Sequence, residues 1–467
     1  MTRISQKYTE VFKKILPSPF TIAVLLTLFT IILALFLTKP DDEGYGNYLV
    51  YLLTSWESGL WDDSAGGLYF AFQMMLILVL GHVLALTPQI NRLIKVLLSY
   101  CKDTPSSVFV VAFGAIVMGL FNWGLGLIFG AILARKVGEK FAALKRPVNY
   151  GMVGAAAYAT MMVWHGGLSG SATTKAMESG YIPEMMRSMG TSGNYPEFIP
   201  FESTIGSITN IIVSLLCITV IPLFLYFLSK RSGKGEVLHF QQTFGKDTES
   251  YGDNLKGAEK LDASKIFGML LGTIILLIAL YKAFTYEGIS RMGFINLNFI
   301  NLSLLGLALF FHRSIFRFSA AVQQAIGDIS GILIQFPLYF GILGIMKSSG
   351  LIELFSDGII QVATDYSLPF FTFISAGLVN FFVPSGGGQW AIQGPILIEA
   401  ASQLNADLPK TILAMAYGDQ LTNMLQPFWA LPLLGITGLK PHQILPYTFV
   451  LFLLGLVIFG SILLVDF

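Results

Sequence analysis

Charge is scarce in this sequence: 12% of its 467 residues are Asp, Glu, Lys or Arg. Soluble domains carry about 25%. Half that density cannot cover a water-facing surface of this size, so a soluble globular protein is excluded. Net charge is +1, which removes the basic field that nucleic-acid binding requires, and no nucleic-acid partner is expected. Cysteine is nearly absent. Cys101 and Cys217 lie far apart in or beside apolar runs, and they read as small core residues, not a disulfide or metal pair. No small-residue cleavage site follows the first apolar run, so no cleavable signal peptide is expected. What is abundant is apolar: 54% of residues are hydrophobic and 47 are glycine. The composition predicts an all-α polytopic membrane protein with the lipid bilayer as its surroundings.

A spanning helix needs roughly 20 apolar residues. Uninterrupted candidates run over 19–38, 66–86, 204–229, 265–283, 293–311, 327–346 and 444–465. Four apolar stretches are interrupted: 106–134, 148–172, 367–398 and 411–436. Lys and Arg stay cytoplasmic, which sets the orientation. Arg3, Lys7, Lys13 and Lys14 put the N-terminus inside, and the acidic segment 40–65 reads as an outside loop. Arg92, Lys95 and Lys102 precede stretch 106–134, and Arg135, Lys136, Lys140, Lys145 and Arg146 follow it. That stretch therefore enters and leaves on the cytoplasmic face as a hairpin. The polar segment 230–264 is cytoplasmic and splits the chain into a first half, 1–229, and a second half, 265–467. No Lys or Arg occurs from Ser348 to Pro409, so stretch 367–398 is a hairpin entered from outside. The C-terminus is expected outside.

Hairpins opening to opposite faces imply duplication with inversion. A common shift of 262 positions relates Gln73 to Gln335 and Asn122 to Pro384, and Ala157-Tyr158 matches Ala416-Tyr417 after a small gap. Chance likeness of glycine-rich apolar segments is the plain alternative. Inverted repeats with broken helices meeting at the membrane midplane describe secondary transporters.

The breaks carry the candidate chemistry. Non-helical backbone at membrane depth is tolerated only where protein or a water-filled cavity surrounds it. Pro384 and Gly386, Gly387 and Gly388 break a helix, with Ser385, Gln389, Trp390 and Gln393 beside them. Freed N–H groups at a half-helix start suit a carboxylate. The first copy repeats the design with Asn122, Trp123, Gly124 and Gly126. Its glycines fail as a nucleotide loop on spacing, and a GxxxG packing face at Gly126 and Gly130 is the alternative. Together these residues form the expected substrate site.

The second break of each half is polar too: His165, Ser169 and Ser171 in one, Asp419, Thr422, Asn423 and Gln426 in the other. An ionisable group inside a span is costly and by default functional. Asp419, Thr422 and Asn423 are the expected coupling-ion residues for Na+ or H+, with a structural acceptor role for Asp419 as the alternative. His165, Ser169, Ser171, Gln393 and Gln426 are secondary candidates. His82 reads as a packing histidine and Lys175 as an interfacial lysine. Trp123, Trp164, Trp390 and Trp429 flank the breaks, four of the six tryptophans. This predicts an apolar pocket for the short tail of a small acid. No cofactor is expected, and no metal beyond a sodium ion.

NWGLGLIFGAILAR, VPSGGGQWAIQGP, AYGDQ and QPFWALP resemble the bacterial short-chain fatty acid transporter family, as do LPSPFTIAVLLTL and ILIQFPLY. The resemblance covers nearly the whole chain. It implies ion-coupled symport of a small monocarboxylate such as acetoacetate or butyrate at the cell inner membrane, not an enzyme. It also implies kinship with a wider ion-transporter superfamily, whose members are often homodimers with a scaffold and a moving transport domain. Asp419 stands where the resemblance leads one to expect Glu. Two rivals remain: a dicarboxylate or other organic-anion carrier, which the scarcity of Arg and Lys in the spans disfavours, and an intramembrane hydrolase. For the hydrolase, His165 with Ser169 is the only hint, and no matching acid stands at motif spacing.

Overall fold

The computed structural model describes residues 19–61, 67–188, 195–233, 235–238, 240, 257, 259–287, 294–351, 354, 358, 361–381, 384, 386–426 and 429–465. The described residues are almost entirely helical. Among the described residues four helices are long and apolar enough to cross a membrane, Thr104–Phe121, Ile208–Arg231, Lys265–Phe284 and Pro441–Leu463, or five if the bent pair Ala71–Ala85 and Pro88–Tyr100 counts as one span. Most of the segment between the halves lies outside the described residues. Its beginning packs on the first half, through a bridge between Val148 and Glu236 and Phe240 edge-on to Tyr150.

The N-terminal part holds α1 (Pro19–Leu37), α2 (Tyr45–Trp61) and α3 (Gly67–Ala85), and α4 (Pro88–Tyr100) leaves α3 at a sharp bend. Most of the acidic 40–65 segment is thus a helix and not a loop. Tyr48, Leu52 and Gly59 recur at helical spacing and are buried, and a buried stripe outweighs flanking acids. Gly59 lets α2 cross the helix at Ser330–Ser349 closely, since a Cβ there would lie 2.6 Å from the Phe340 carbonyl.

The first hairpin is α5 (Thr104–Phe121) and α6 (Trp123–Ala143). Asp103 starts α5 with a reciprocal cap, accepting from the Ser106 N–H while Ser106 Oγ accepts from the Asp103 N–H. From Trp123 to Ala134 every residue of α6 is buried, so this helix lies at the centre of the bundle. Next come α7 (Tyr150–Tyr158), a 3-10 turn (Ala159–Met162), a break, α8 (Ser171–Ala176), α9 (Tyr181–Ser188) and α10 (Ile208–Arg231).

After α11 (Glu259–Ala263), α12 (Lys265–Phe284), α13 (Leu297–His312), α14 (Ile315–Ala325) and α15 (Ser330–Ser349), the second half repeats the pattern. Its hairpin is α16 (Leu368–Val379) and α17 (Gly386–Leu404). Then follow α18 (Leu408–Thr422), a 3-10 turn (Asn423–Leu425), a break, α19 (Leu431–Thr437) and α20 (Pro441–Leu463). The matching landmarks are the C-caps of α5 and α16, Asn122 and Asn380, and the first residues of α7 and α18. Both pairs are 258 positions apart (122 to 380, 150 to 408). The register is therefore 258, not 262, and Asn380, not Pro384, stands where Asn122 does. The two 3-10 turns pack against each other, so both broken helices end at one place.

Candidate functional site

The first hairpin turns on one residue. Asn122, extended at φ −156° and ψ 125°, ends α5 and begins α6, its Oδ1 accepting from the Leu125 N–H at 2.8 Å. Gly124 and Gly126 do not break the chain. They lie inside α6, Gly124 against Ile77 and Leu78 of α3, Gly126 against Gly119 and Thr160. The packing alternative describes their contacts. The hairpin tip docks on the first break: the Trp123 N–H donates to Ser169 Oγ at 3.0 Å, and the Leu168 N–H to the Leu120 carbonyl at 2.8 Å. Gly167 lies close to Leu120 as well.

The second hairpin turns between Asn380 and Gly386. Gly386, Gly387 and Gly388 form the first turn of α17 and lie outside the break, because a following apolar run carries the helix through them. Ser385 lies outside the described residues. Asn380 ties the tip to the second break. Its Nδ2 donates to the Asp419 carbonyl (2.8 Å), Thr422 Oγ1 (2.8 Å) and Asn423 Oδ1 (3.1 Å), while its carbonyl accepts from Gln426 Nε2 (3.1 Å). Gln389 and Gln393 join α17 to α16: Gln389 Nε2 donates to the Ala376 carbonyl and Gln393 Oε1, and Gln393 Nε2 to Ser375 Oγ.

The halves meet where the breaks meet. His165 Nδ1 lies 2.6 Å from Asp419 Oδ2, with the side chains 0% and 1% exposed. The Ala172 N–H donates to His165 Nε2 at 3.0 Å, and Ser171 Oγ is 3.2 Å from the same nitrogen. A nitrogen accepting an N–H must carry a lone pair, so the ring proton sits on Nδ1 and faces Asp419. Gln420 Oε1 accepts from the His165 and Gly166 N–H groups. Tyr417 donates to Asn210 Oδ1, and Asn210 Nδ2 donates to the Gly166 carbonyl. Tyr158 donates to the carbonyls of Asn423 and Gln426.

Three of the four break-flanking tryptophans come together. Trp164 stacks on His165 with centroids 4.4 Å apart, and Trp123 lies edge-on to both Trp164 (6.2 Å) and Trp429 (5.1 Å). Trp390 does not join them; it packs with Ala172, Ile182 and Met415. A Cβ at Gly386 would lie 2.6 Å from His165 Cε1 and 2.7 Å from Ser171 Oγ and Trp164 Cη2. Both hairpin tips and both breaks thus share one centre.

Several buried polar atoms there have no hydrogen-bond partner among the described residues. Asn122 Nδ2, Trp123 Nε1 and Trp164 Nε1 are donors, and Asp419 Oδ1 is an acceptor. Leaving such an atom buried and unmade costs roughly 1–3 kcal/mol, so each marks a point where something else completes the bond. Ser171, His165 and Asp419 have the order of a hydrolytic triad, supplying the acid that sequence spacing did not reveal. Here the base's lone pair already accepts the Ala172 N–H, and all three side chains are buried. Among the described residues no group of three His, Cys, Asp or Glu side chains could hold a metal ion.

Sequence reasoning missed Asn380, Asn210, Tyr417 and Tyr158. Asn380 had a readable signal, an asparagine closing an apolar helix 258 positions after Asn122, and Tyr158 and Tyr417 had one in the matched Ala-Tyr pairs, but Asn210 had none.

Discontinuous helices meeting at a shared polar centre inside an apolar bundle define a multi-pass membrane transporter. The sequence profile of the family described as Short chain fatty acid transporter matches residues 1–465. The chain belongs to the short-chain fatty acid transporter family, a family of transporters and not of enzymes. Two relatives carry the name "Putative short-chain fatty acid transporter". The one from Haemophilus influenzae is 34% identical over 456 residues, covering 96% of each chain. The one from Escherichia coli K12 is 34% identical over 474 residues, covering 98% of this chain and 99% of its own. Among solved structures, the Alcanivorax borkumensis YdaH transporter, described as having an unusual topology, is similar with a TM-score of 0.48 and 15% identity. The match covers 95% of this chain and 98% of that one.

Proposed function

We propose that this protein takes up short-chain monocarboxylates such as butyrate or acetoacetate by ion-coupled symport across the cytoplasmic membrane. The observation that carries this reading is the set of unpartnered donors, Asn122 Nδ2, Trp123 Nε1 and Trp164 Nε1, within the Trp123–Trp164–Trp429 cluster. Donors without acceptors suit a carboxylate, and the ring faces suit a short alkyl tail. Lys175, the cation nearest the first break in sequence, is paired with Glu178 at 2.9 Å, so it is not held free for a second substrate charge.

In this reading the two hairpins are re-entrant and the repeats inverted, as the Lys and Arg distribution supports. The N-terminus is cytoplasmic and the C-terminus outside. The hairpins and broken helices move as a transport domain against a scaffold, in a homodimer. Asp419, Thr422 and Asn423 hold the coupling ion, Na+ or H+.

The test is counterflow of labelled acetoacetate or butyrate in proteoliposomes, measured against protein-free vesicles that report passive leak of the neutral acid. Saturable exchange is expected, inhibited by short monocarboxylates and not by succinate. Inhibition by succinate instead would point to a dicarboxylate carrier, and no exchange above leak would overturn the reading.

A further inference from the structure

The His165–Asp419 pair holds one open lone-pair site. Nε2 of His165 is occupied by the Ala172 N–H, Nδ1 carries the ring proton, and Asp419 Oδ2 accepts that proton. Asp419 Oδ1, buried with the rest of a side chain 1% exposed, has no partner among the described residues. We infer that the coupling ion is a proton, that it loads on Asp419 Oδ1, and that His165 is the positioning residue that fixes Oδ2 and leaves Oδ1 free.

The surroundings favour a proton over sodium. A hard cation needs several oxygens turned inward, but apart from Asp419 Oδ1 and Asn380 Oδ1, which have no partner among the described residues, the oxygens around Asp419 already accept hydrogen bonds. Its carbonyl accepts from Asn380 Nδ2 and Thr422 Oγ1, Gln420 Oε1 accepts two N–H groups, and Asn423 Oδ1 accepts from Asn380. The groups turned toward this residue from the first break and from the tip of α16 include N–H donors, His165 Nδ1 and Asn380 Nδ2, which repel a cation. A proton needs one lone pair and no shell.

Charge balance then links the proton to the substrate. Unloaded, the pair is a neutral imidazole and a carboxylate, with one net negative charge. Loaded, it is an imidazole and a carboxylic acid, with none. Trp164 stacks directly on His165 and carries one of the unpartnered donors, so an incoming carboxylate settles beside this pair. A second buried negative charge there is strongly disfavoured, so the anion enters once the proton, drawn from the aqueous phase, has neutralised Asp419. The other ionisable groups on packed elements are committed elsewhere: Lys175 of α8 pairs with Glu178, Tyr417 of α18 donates to Asn210, and Tyr158 of α7 donates to backbone carbonyls. From α17 the ring meets Gly386, and from the first hairpin Trp123 reaches it through Trp164; neither residue is ionisable.

This inference rests on the monocarboxylate reading above, and its test separates the two. Butyrate binding to the purified full-length protein is measured by titration calorimetry in buffers of different ionisation enthalpy, with sodium or with choline. The wild type is expected to take up about one proton per butyrate above its midpoint pH, to lose affinity about tenfold per pH unit there, and to be indifferent to sodium. Asp419→Asn is expected to take up none and to bind with no pH dependence. His165→Ala shifts the midpoint of the pH profile, and His165→Gln, which keeps a donor to Oδ2, returns it toward wild type. Wild-type binding without proton uptake, or binding that requires sodium, overturns the inference and leaves the transport reading intact. Undiminished proton uptake in a folded Asp419→Asn overturns it as well. Absence of any monocarboxylate binding to the wild type overturns both.

Discussion

Trp123 and Trp429 stand edge to face with centroids 5.1 Å apart, although one follows the turn of the first hairpin and the other the last break of the second half. Their contact closes the apolar side of the central site. Three unpartnered donors on its polar side, Asn122 Nδ2, Trp123 Nε1 and Trp164 Nε1, come from the first half, while Asn423 Nδ2 and the carboxyl of Asp419 come from the second.

Asn122 performs two separable tasks. Its Oδ1 caps α6 and its Nδ2 is the unpartnered donor. Asn122→Ala removes both and is expected to lower stability by about 1 kcal/mol through the lost cap. Asn122→Asp keeps the cap and replaces the donor with a charge. Butyrate affinity should collapse in Asn122→Asp, and its thermal unfolding temperature in detergent should rise as the pH is lowered and the new buried carboxylate is neutralised. Equal affinity in Asn122→Asp would remove Nδ2 from the substrate site.

Gly386 is expected to tolerate no side chain. On helix propensity alone Ala would gain about 1 kcal/mol over Gly. The Cβ would instead meet His165, Ser171 and Trp164, and such overpacking costs about 1–3 kcal/mol. Gly386→Ala should therefore lower the unfolding temperature. Gly435→Ala is the control, because no atom lies within 4 Å of its Cβ position, and it should be neutral or stabilising. A stabilised Gly386→Ala would refute the close approach of α17 to the first break.

Asp103 tests the capping of α5 away from the membrane-buried site. Burial pushes its carboxyl up, but hydrogen bonds from the Ser106 side chain and backbone, with Arg146 and Lys230 nearby, outweigh it and hold it below its ordinary 3.8. A depressed carboxyl stabilises the fold above its ordinary value, and that stability is lost as pH falls through the lower folded value. Asp103→Ala is expected to cost about 1 kcal/mol at neutral pH. The difference from wild type should shrink as the pH is lowered below about 4. A difference that stays constant well into acid would contradict the charge-assisted cap.

Much of the architecture was legible in composition and patterning. The helices at 208–231, 265–284 and 441–463 follow apolar runs that are long enough to be unambiguous. The hairpin at Asn122 was legible because one asparagine interrupts an apolar run flanked by lysine and arginine on both sides. The α2 helix was obscured by its acids, because its buried stripe is narrow and becomes visible only against α15. Asn380 was passed over because the neighbouring VPSGGG run is the louder breaker, yet the asparagine ends the helix and ties the tip to the second break, while the glycines continue as helix.

By itself the sequence determined that this chain lives in a bilayer, that several of its apolar runs are interrupted, and to which family it belongs. The first two follow from local physics, too few charges for water and polar residues set within apolar runs, and the third from motifs that span the chain. Only the tertiary structure decided which breaks meet, that Asp419 faces His165 across 254 positions, and that Trp390 stands apart from the other three tryptophans. Such pairings depend on how separate helices cross, and crossing is set by packing between distant surfaces, which no local pattern records.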